Sequence, residues 1–163
     1  MAFILTGDWD KVQKLFGNPM IAGNTMKRIK ILGMKRVLAY LEGQIKRNIR
    51  SSGKLADKPF ATNAPMTLEL KKPKTKPLID TGDMMGSVTR KYIDENNGFV
   101  GLLRGEKHTD GGSVADIGMI HEFGAIVDKK TIPARPFIGP VLKKFKKDAG
   151  EVYLKAAGEV LSG

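Results

Sequence analysis

The sequence predicts an α+β fold, with a small, mainly antiparallel β-sheet packed against two long amphipathic helices and long mobile loops. Three observations predict it. Apolar residues recur at helical spacing from Asn24 to Arg50 and again from Pro140 to Val160. Between them, two β-prone runs flank Glu95-Asn96-Asn97-Gly98, whose Asn-Gly step has hairpin-turn chemistry. A chain of 163 residues holds one domain with a sizeable core, so residues 1–163 are read as a single domain.

Taken in order, Asp8 suits the N-cap of a short helix carrying Trp9, Val12, Leu15 and Phe16, which Gly17-Asn18-Pro19 ends. Trp9 is read as a core or docking anchor. The helix from about Asn24 to Arg50 buries a stripe of Met34, Val37, Leu38, Leu41, Ile45 and Ile49, and its lysines and arginines mostly avoid that stripe. Gly33 and Gly43 each weaken it by about 1 kcal/mol relative to alanine and permit close packing or a bend. From Ser51 to Pro77 the prolines at 59, 65, 73 and 77 speak against a continuous helix or a central strand. This stretch is read as an extended arm or loop, one that orders against a neighbour.

Asp80 or Thr81 caps a short turn through Met84 and Met85, with Gly82 allowing close backbone approach. The hairpin follows: Ser87 to Ile93 outward, Phe99 to Leu103 back. Arg104 to Gly112 is a polar loop. Ser113, with Asp116 three residues on, has the spacing of a capping box and opens a helix that Gly124 ends. Ala125–Val127 and Ile132–Ala134 are extended pieces, the second an edge strand or rod because of its prolines. Pro133 and Pro136 each fix φ and bias the residue before them toward extended backbone, so Arg135 stands on a stiff rod. The last helix, from Pro140, buries Val141, Leu142, Phe145, Ala149, Val152, Ala156 and Val160.

The composition narrows function. With no cysteine, disulfides and thiolate metal sites are excluded. No apolar run approaches the roughly 20 residues of a membrane helix, and the start lacks the basic region of a signal peptide. An intracellular product with no membrane partner is expected. The net charge of +11 attracts an acidic protein or nucleic acid. Aromatics, at 7%, are not interleaved with the basic runs as a stacking platform requires, which makes nucleic acid the secondary reading.

Catalytic patterns are missing. His121-Glu122 begins a zinc H-E-x-x-H motif, but Ala125 stands where the second histidine belongs. His108 is the other histidine. Asp80, Asp83, Asp110, Asp116 and Glu122 show no spacing that gathers a magnesium cluster, and there is no phosphate-binding glycine loop. The expectation is a protein without catalytic residues, cofactor or metal. Arg135 has two readings. It pairs within the chain, with Glu122 or an aspartate, to fix the helix–rod–helix geometry, or it grips a carboxylate of a neighbouring subunit through its planar fork. Phe123 and Phe137 are read first as core anchors.

The run Glu122-Phe123-Gly124 after an apolar helix, then Ile132-Pro133-Ala134-Arg135-Pro136-Phe137 and a long helix, resembles the tail-completion or head–tail joining proteins of tailed bacteriophages, also called phage virion morphogenesis proteins. Leu78 to Ser87 is similar to that family's L-x-x-T-G-x-L-x-x-S, with Thr81 and Gly82 in place and Met84 where a leucine is usual. Thr6-Gly7-Asp8-Trp9-Asp10 is a weaker match. The resemblance implies a structural protein of the virion neck or tail, assembled in the host cytoplasm. It implies a homo-oligomeric ring, commonly a hexamer, that contacts terminator, tail-tube or connector proteins. Glu122, Phe123, Gly124, Pro133, Arg135, Pro136, Phe137, Thr81 and Gly82 are its candidate interface or geometry-fixing residues.

Overall fold

A computed structural model describes residues 17–70, 76–79, 82–105, 107, 111–127 and 130–162. The expectations for Trp9, His108, Asp80, Thr81 and Asp110 lie outside the described residues. The elements are α1 (Pro19–Arg50), a 3-10 turn (Lys54–Ala56), α2 (Pro65–Leu70), α3 (Asp83–Gly86), β1 (Val88–Tyr92), β2 (Gly98–Leu102), α4 (Val114–Phe123), β3 (Ala125–Val127), β4 (Lys130–Ile132), α5 (Gly139–Lys144) and α6 (Lys146–Ser162). The fold is α+β. Among the described residues the strands form two separate antiparallel hairpins, β1–β2 and β3–β4.

α1 starts where the sequence changes its backbone options. The Asn18 side chain accepts from the N–H groups of Met20 and Ile21, and Pro19 occupies the first turn, where a missing N–H costs nothing. Its buried stripe includes Ile29, Leu38, Ile45 and Ile49. α6 lies antiparallel to it, since Tyr40 meets Asp148 while Arg36, a turn earlier, meets Glu159 farther along α6. Gly33 serves this packing: a Cβ there would come 2.5 Å from the Tyr153 ring. Gly43 has no such neighbour. The last helix is not continuous. It is interrupted at Phe145, whose ring packs edge-on against Tyr40 at 6.2 Å.

The β1–β2 hairpin lies along α1, with Val88 opposite Leu102 and Tyr92 opposite Gly98. Its turn works differently from the expected Asn-Gly step. Asp94 accepts from the N–H groups of Asn96 and Asn97 and from the Asn97 amide, closing the loop as an Asx turn. Those bonds hold the Asp94 carboxyl below the usual carboxylate range. Gly98 is instead the first residue of β2, where a Cβ would meet Leu38 at 2.6 Å.

The core joins Ile45, Ile49, Ala56, Phe60, Met84, Val88, Phe137 and Val141. Ala56 and Phe60 belong to the stretch read as an arm. Its first ten residues are fastened to the body, and α2 adds a short helix within it. The fastening runs through Asn48, fully buried in the α1 stripe. Asn48 accepts from the Ala56 N–H at 3.1 Å and its amide approaches the Phe137 carbonyl at 3.4 Å.

Glu42 ties α1 to β1 through Arg90 and to its own helix through Lys46. Burial pushes its carboxyl up, and the bonds from Lys46 and Arg90 outweigh that, leaving it below the ordinary value. A carboxyl lowered on folding stabilises above its unfolded value, about 4.3, and that contribution disappears as pH falls through the lower folded value. In denaturant melts between about pH 5 and pH 3, Glu42→Gln is therefore expected to lose stability less steeply than the wild type.

Candidate functional site

The rod between α4 and α5 is pinned at every available donor. From Arg135 to Gly139 the one residue without an N–H is Pro136, and each other N–H has an acceptor. The Arg135 N–H donates to the His121 carbonyl at 2.6 Å. One Glu122 carboxylate takes the remaining three, from Phe137 at 2.8 Å, Ile138 at 3.0 Å and Gly139 at 2.8 Å. α5 has no side-chain cap from Ile138, its own first position. Glu122, projecting from α4, supplies the cap, and a carboxylate suits the positive end of a helix.

Among the described residues Arg135 pairs with no carboxylate, neither Glu122 nor an aspartate as the first of its two readings had it, though it is held within the chain. Its Nε donates to the Ala61 carbonyl at 2.8 Å and its Nη2 to the Thr62 carbonyl at 2.9 Å. The planar fork thus holds the chain that leaves the 3-10 turn, while Glu122 holds the chain that enters α5. Arg135 is only 7% exposed. Burial lowers the pKa of its guanidinium, yet an arginine stays charged in a folded protein.

Gly124 ends α4 at φ 78° and ψ 168°, a region open essentially to glycine alone. A Cβ there would lie 3.0 Å from the Ile132 carbonyl oxygen and 3.2 Å from the Ala134 nitrogen. Gly124 therefore turns the chain from α4 straight into the β3–β4 hairpin. β4 ends at Ile132, immediately before the first proline, as a strand must when the next residue lacks a donor. Among the described residues nothing lies within 4 Å of a Cβ built on Gly82, so none of them makes the close approach expected there. The Gly82 φ of 94° is what the turn into α3 requires.

The two phenylalanines separate. Phe137 is fully buried at the centre of the core, as expected. Phe123 is 77% exposed, contrary to its reading as a core anchor. Helical spacing explains the difference. Val114 and Gly118 face inward, with Gly118 against Leu102, which leaves Met119 and Phe123, four residues apart, on the outer face of α4. Met119 is 53% exposed and Ile126, in β3, is 78% exposed.

Two cavities flank the pinned rod. One, of about 610 Å³, is lined by Thr62, Asn63, Thr67, His121, Thr131 and Arg135 among others. The other, of about 400 Å³, is an apolar groove between β2 and α4. Among the described residues no three histidine, aspartate or glutamate side chains are grouped to hold a metal, and no helix is long and apolar enough to cross a membrane.

Of the candidate residues, Glu122, Gly124, Pro133, Arg135, Pro136 and Phe137 come together as one backbone-fixing unit. Phe123 lies on its outer surface, and Gly82 is apart from it at the start of α3. Sequence reasoning missed Asn48, Met119 and Ile126. Asn48 left a signal, as a polar residue inside an otherwise apolar stripe.

No protein-family model and no solved structure matches the chain. Over 36 residues it is 56% identical to the uncharacterized protein MJ0331 of Methanocaldococcus jannaschii, a stretch covering 22% of this chain and 25% of that protein. The chain thus spans about a quarter of the length of this relative.

Proposed function

We propose that this chain is a structural morphogenesis protein of a tailed phage, a ring-forming neck or tail-completion component that prepares the tail for the head connector. Its place would be the neck or tail region of the virion, after assembly in the host cytoplasm. The supporting observation is the division of labour at the motif that carries the resemblance. Glu122 and Arg135, the residues best suited to chemistry, are both engaged by the chain's own backbone. What that rigid unit presents outward is apolar: Met119, Phe123 and Ile126. Exposed apolar side chains such as the neighbouring Met119 and Phe123 mark contact surfaces, and a contact between unlike faces of identical copies closes into a ring where the rotation between them closes. On this reading no bond is made or broken, and the work is fitting together.

Phe123→Asp tests it. Surface substitutions of this kind usually change monomer stability within about ±0.5 kcal/mol, whereas a charge in an apolar contact opposes association. In sedimentation velocity the wild type is expected to run as a concentration-dependent closed oligomer, a hexamer being favoured, and Phe123→Asp as a folded monomer. A wild type that stays monomeric at every concentration would remove the reading.

The net charge of +11 supports a second reading, a nucleic-acid-binding module. Arg47, Arg50, Lys143, Lys146 and Lys147 are exposed. That reading requires DNA retention at low salt that falls steeply as salt is added, and filter binding measures it.

A further inference from the structure

We propose that the cavity beside Arg135 is a binding site for a small organic acid, whose carboxylate meets the outer edge of the guanidinium. All the groups that build it come from one copy of the chain, so the site does not depend on ring formation.

Arg135 carries five N–H donors on a planar fork. Its Nε–H and one N–H of Nη2 reach the Ala61 and Thr62 carbonyls. The second N–H of Nη2 and both N–H groups of Nη1 are left over. Nη1 and Nη2 together make the outer edge of the fork, and two parallel N–H groups suit the two oxygens of a carboxylate. The residue is buried, and no carboxylate pairs with it among the described residues. A buried charge is costly unless an opposite charge meets it. A bound anion would therefore offset a cost that the two carbonyls meet only in part.

The space for that anion is present. Arg135 lines the cavity of about 610 Å³, within the range of about 300–1,000 Å³ typical of small-molecule sites. Among the described residues no aspartate or glutamate lines it. Thr62, Thr67 and Thr131 reach it from the chain after the 3-10 turn, from α2 and from β4. Among the described residues no hydrogen bond uses their hydroxyls, and a hydroxyl can donate to a carboxylate. Thr62, Thr131 and Pro133 are exposed, so the cavity opens to solvent on their side while Arg135 lies deeper.

The remaining wall selects more than a bare ion. Leu78, Ile132 and Pro133 give the cavity an apolar side, suited to the carbon body of an acid. Leu78 stands at φ 59°, a left-handed setting that is strained for a residue with a Cβ and that gathers at ligand sites.

Isothermal titration of the full chain with benzoate, at an ionic strength held constant with chloride, tests the site. One saturable site is expected. Benzamide, the neutral isostere, should bind about ten-fold more weakly or worse, the loss of a charge-assisted pair. Acetate, which lacks the apolar body, should bind several-fold more weakly. Arg135→Lys should weaken benzoate strongly. The double variant Thr67→Val, Thr131→Val should weaken it several-fold and carries the test if Arg135→Lys does not fold. Lys147→Ala, at an exposed position on α6, should leave it unchanged. No saturable binding, equal binding of benzamide, or full affinity in the double threonine variant overturns the proposal. A loss in Lys147→Ala as large as in the cavity variants does so too, because it places benzoate on the basic surface. Sedimentation in saturating benzoate distinguishes a free acid from a carboxylate of a neighbouring copy. An oligomer that dissolves in benzoate would give the site to the neighbour and overturn the free acid, whereas an unchanged oligomer or a monomer that still binds supports it.

Discussion

Glu122→Ala is expected to destabilise the folded chain by about 3–4 kcal/mol. The carboxylate serves three N–H groups, and a hydrogen bond to a charged group contributes about 1.5–3 kcal/mol. The Gly139 N–H is exposed enough to find water in its place, while the Phe137 N–H belongs to a fully buried residue. The sum is therefore well short of three full bonds. Glu122→Gln keeps one acceptor oxygen and its shape, and should recover about half of the loss. Urea denaturation of the three proteins measures this. Equal stability of Glu122→Ala and wild type would show that the α5 N-terminus needs no such cap.

Arg135→Ala is expected to cost about 2–3 kcal/mol, again from charge-assisted bonds, and its effect should be local. The guanidinium fork holds the Ala61 and Thr62 carbonyls. Without it, hydrogen exchange and proteolysis should rise first between Phe60 and Leu70, while the β1–β2 hairpin keeps its protection. Arg135→Lys keeps the charge, yet a single ammonium does not reproduce a planar two-point contact, so it should fall between wild type and alanine. If Arg135→Ala raised exchange uniformly over the chain, Arg135 would be a general core residue and not the clasp of one segment.

Much of this arrangement is legible in the sequence where periodicity or backbone restriction carries it. Helical spacing marks α1 and α4, the prolines fix the rod, and Gly124 marks the end of α4. The partners of Glu122 and Arg135 are not legible in that way, because their acceptors and donors are backbone groups, which every residue has. Opposite charges thirteen positions apart suggest a pair, but the carboxylate gains more from three converging amides and the fork from two carbonyls. The exposure of Phe123 was hidden for another reason. Ile120 and Phe123 look alike in an apolar run, and only the packing of Gly118 on Leu102 decides which face of α4 turns inward. The turn of β1–β2 misleads similarly, since Asn97-Gly98 has hairpin chemistry while Asp94 closes the loop and Gly98 makes room for Leu38.

The most direct measurement is electron microscopy of negatively stained phage particles made without this polypeptide. The proposal of a ring that completes the tail predicts full heads beside detached tails, restored by supplying the wild-type chain and not by Phe123→Asp. Normally tailed, infectious particles in its absence would contradict it.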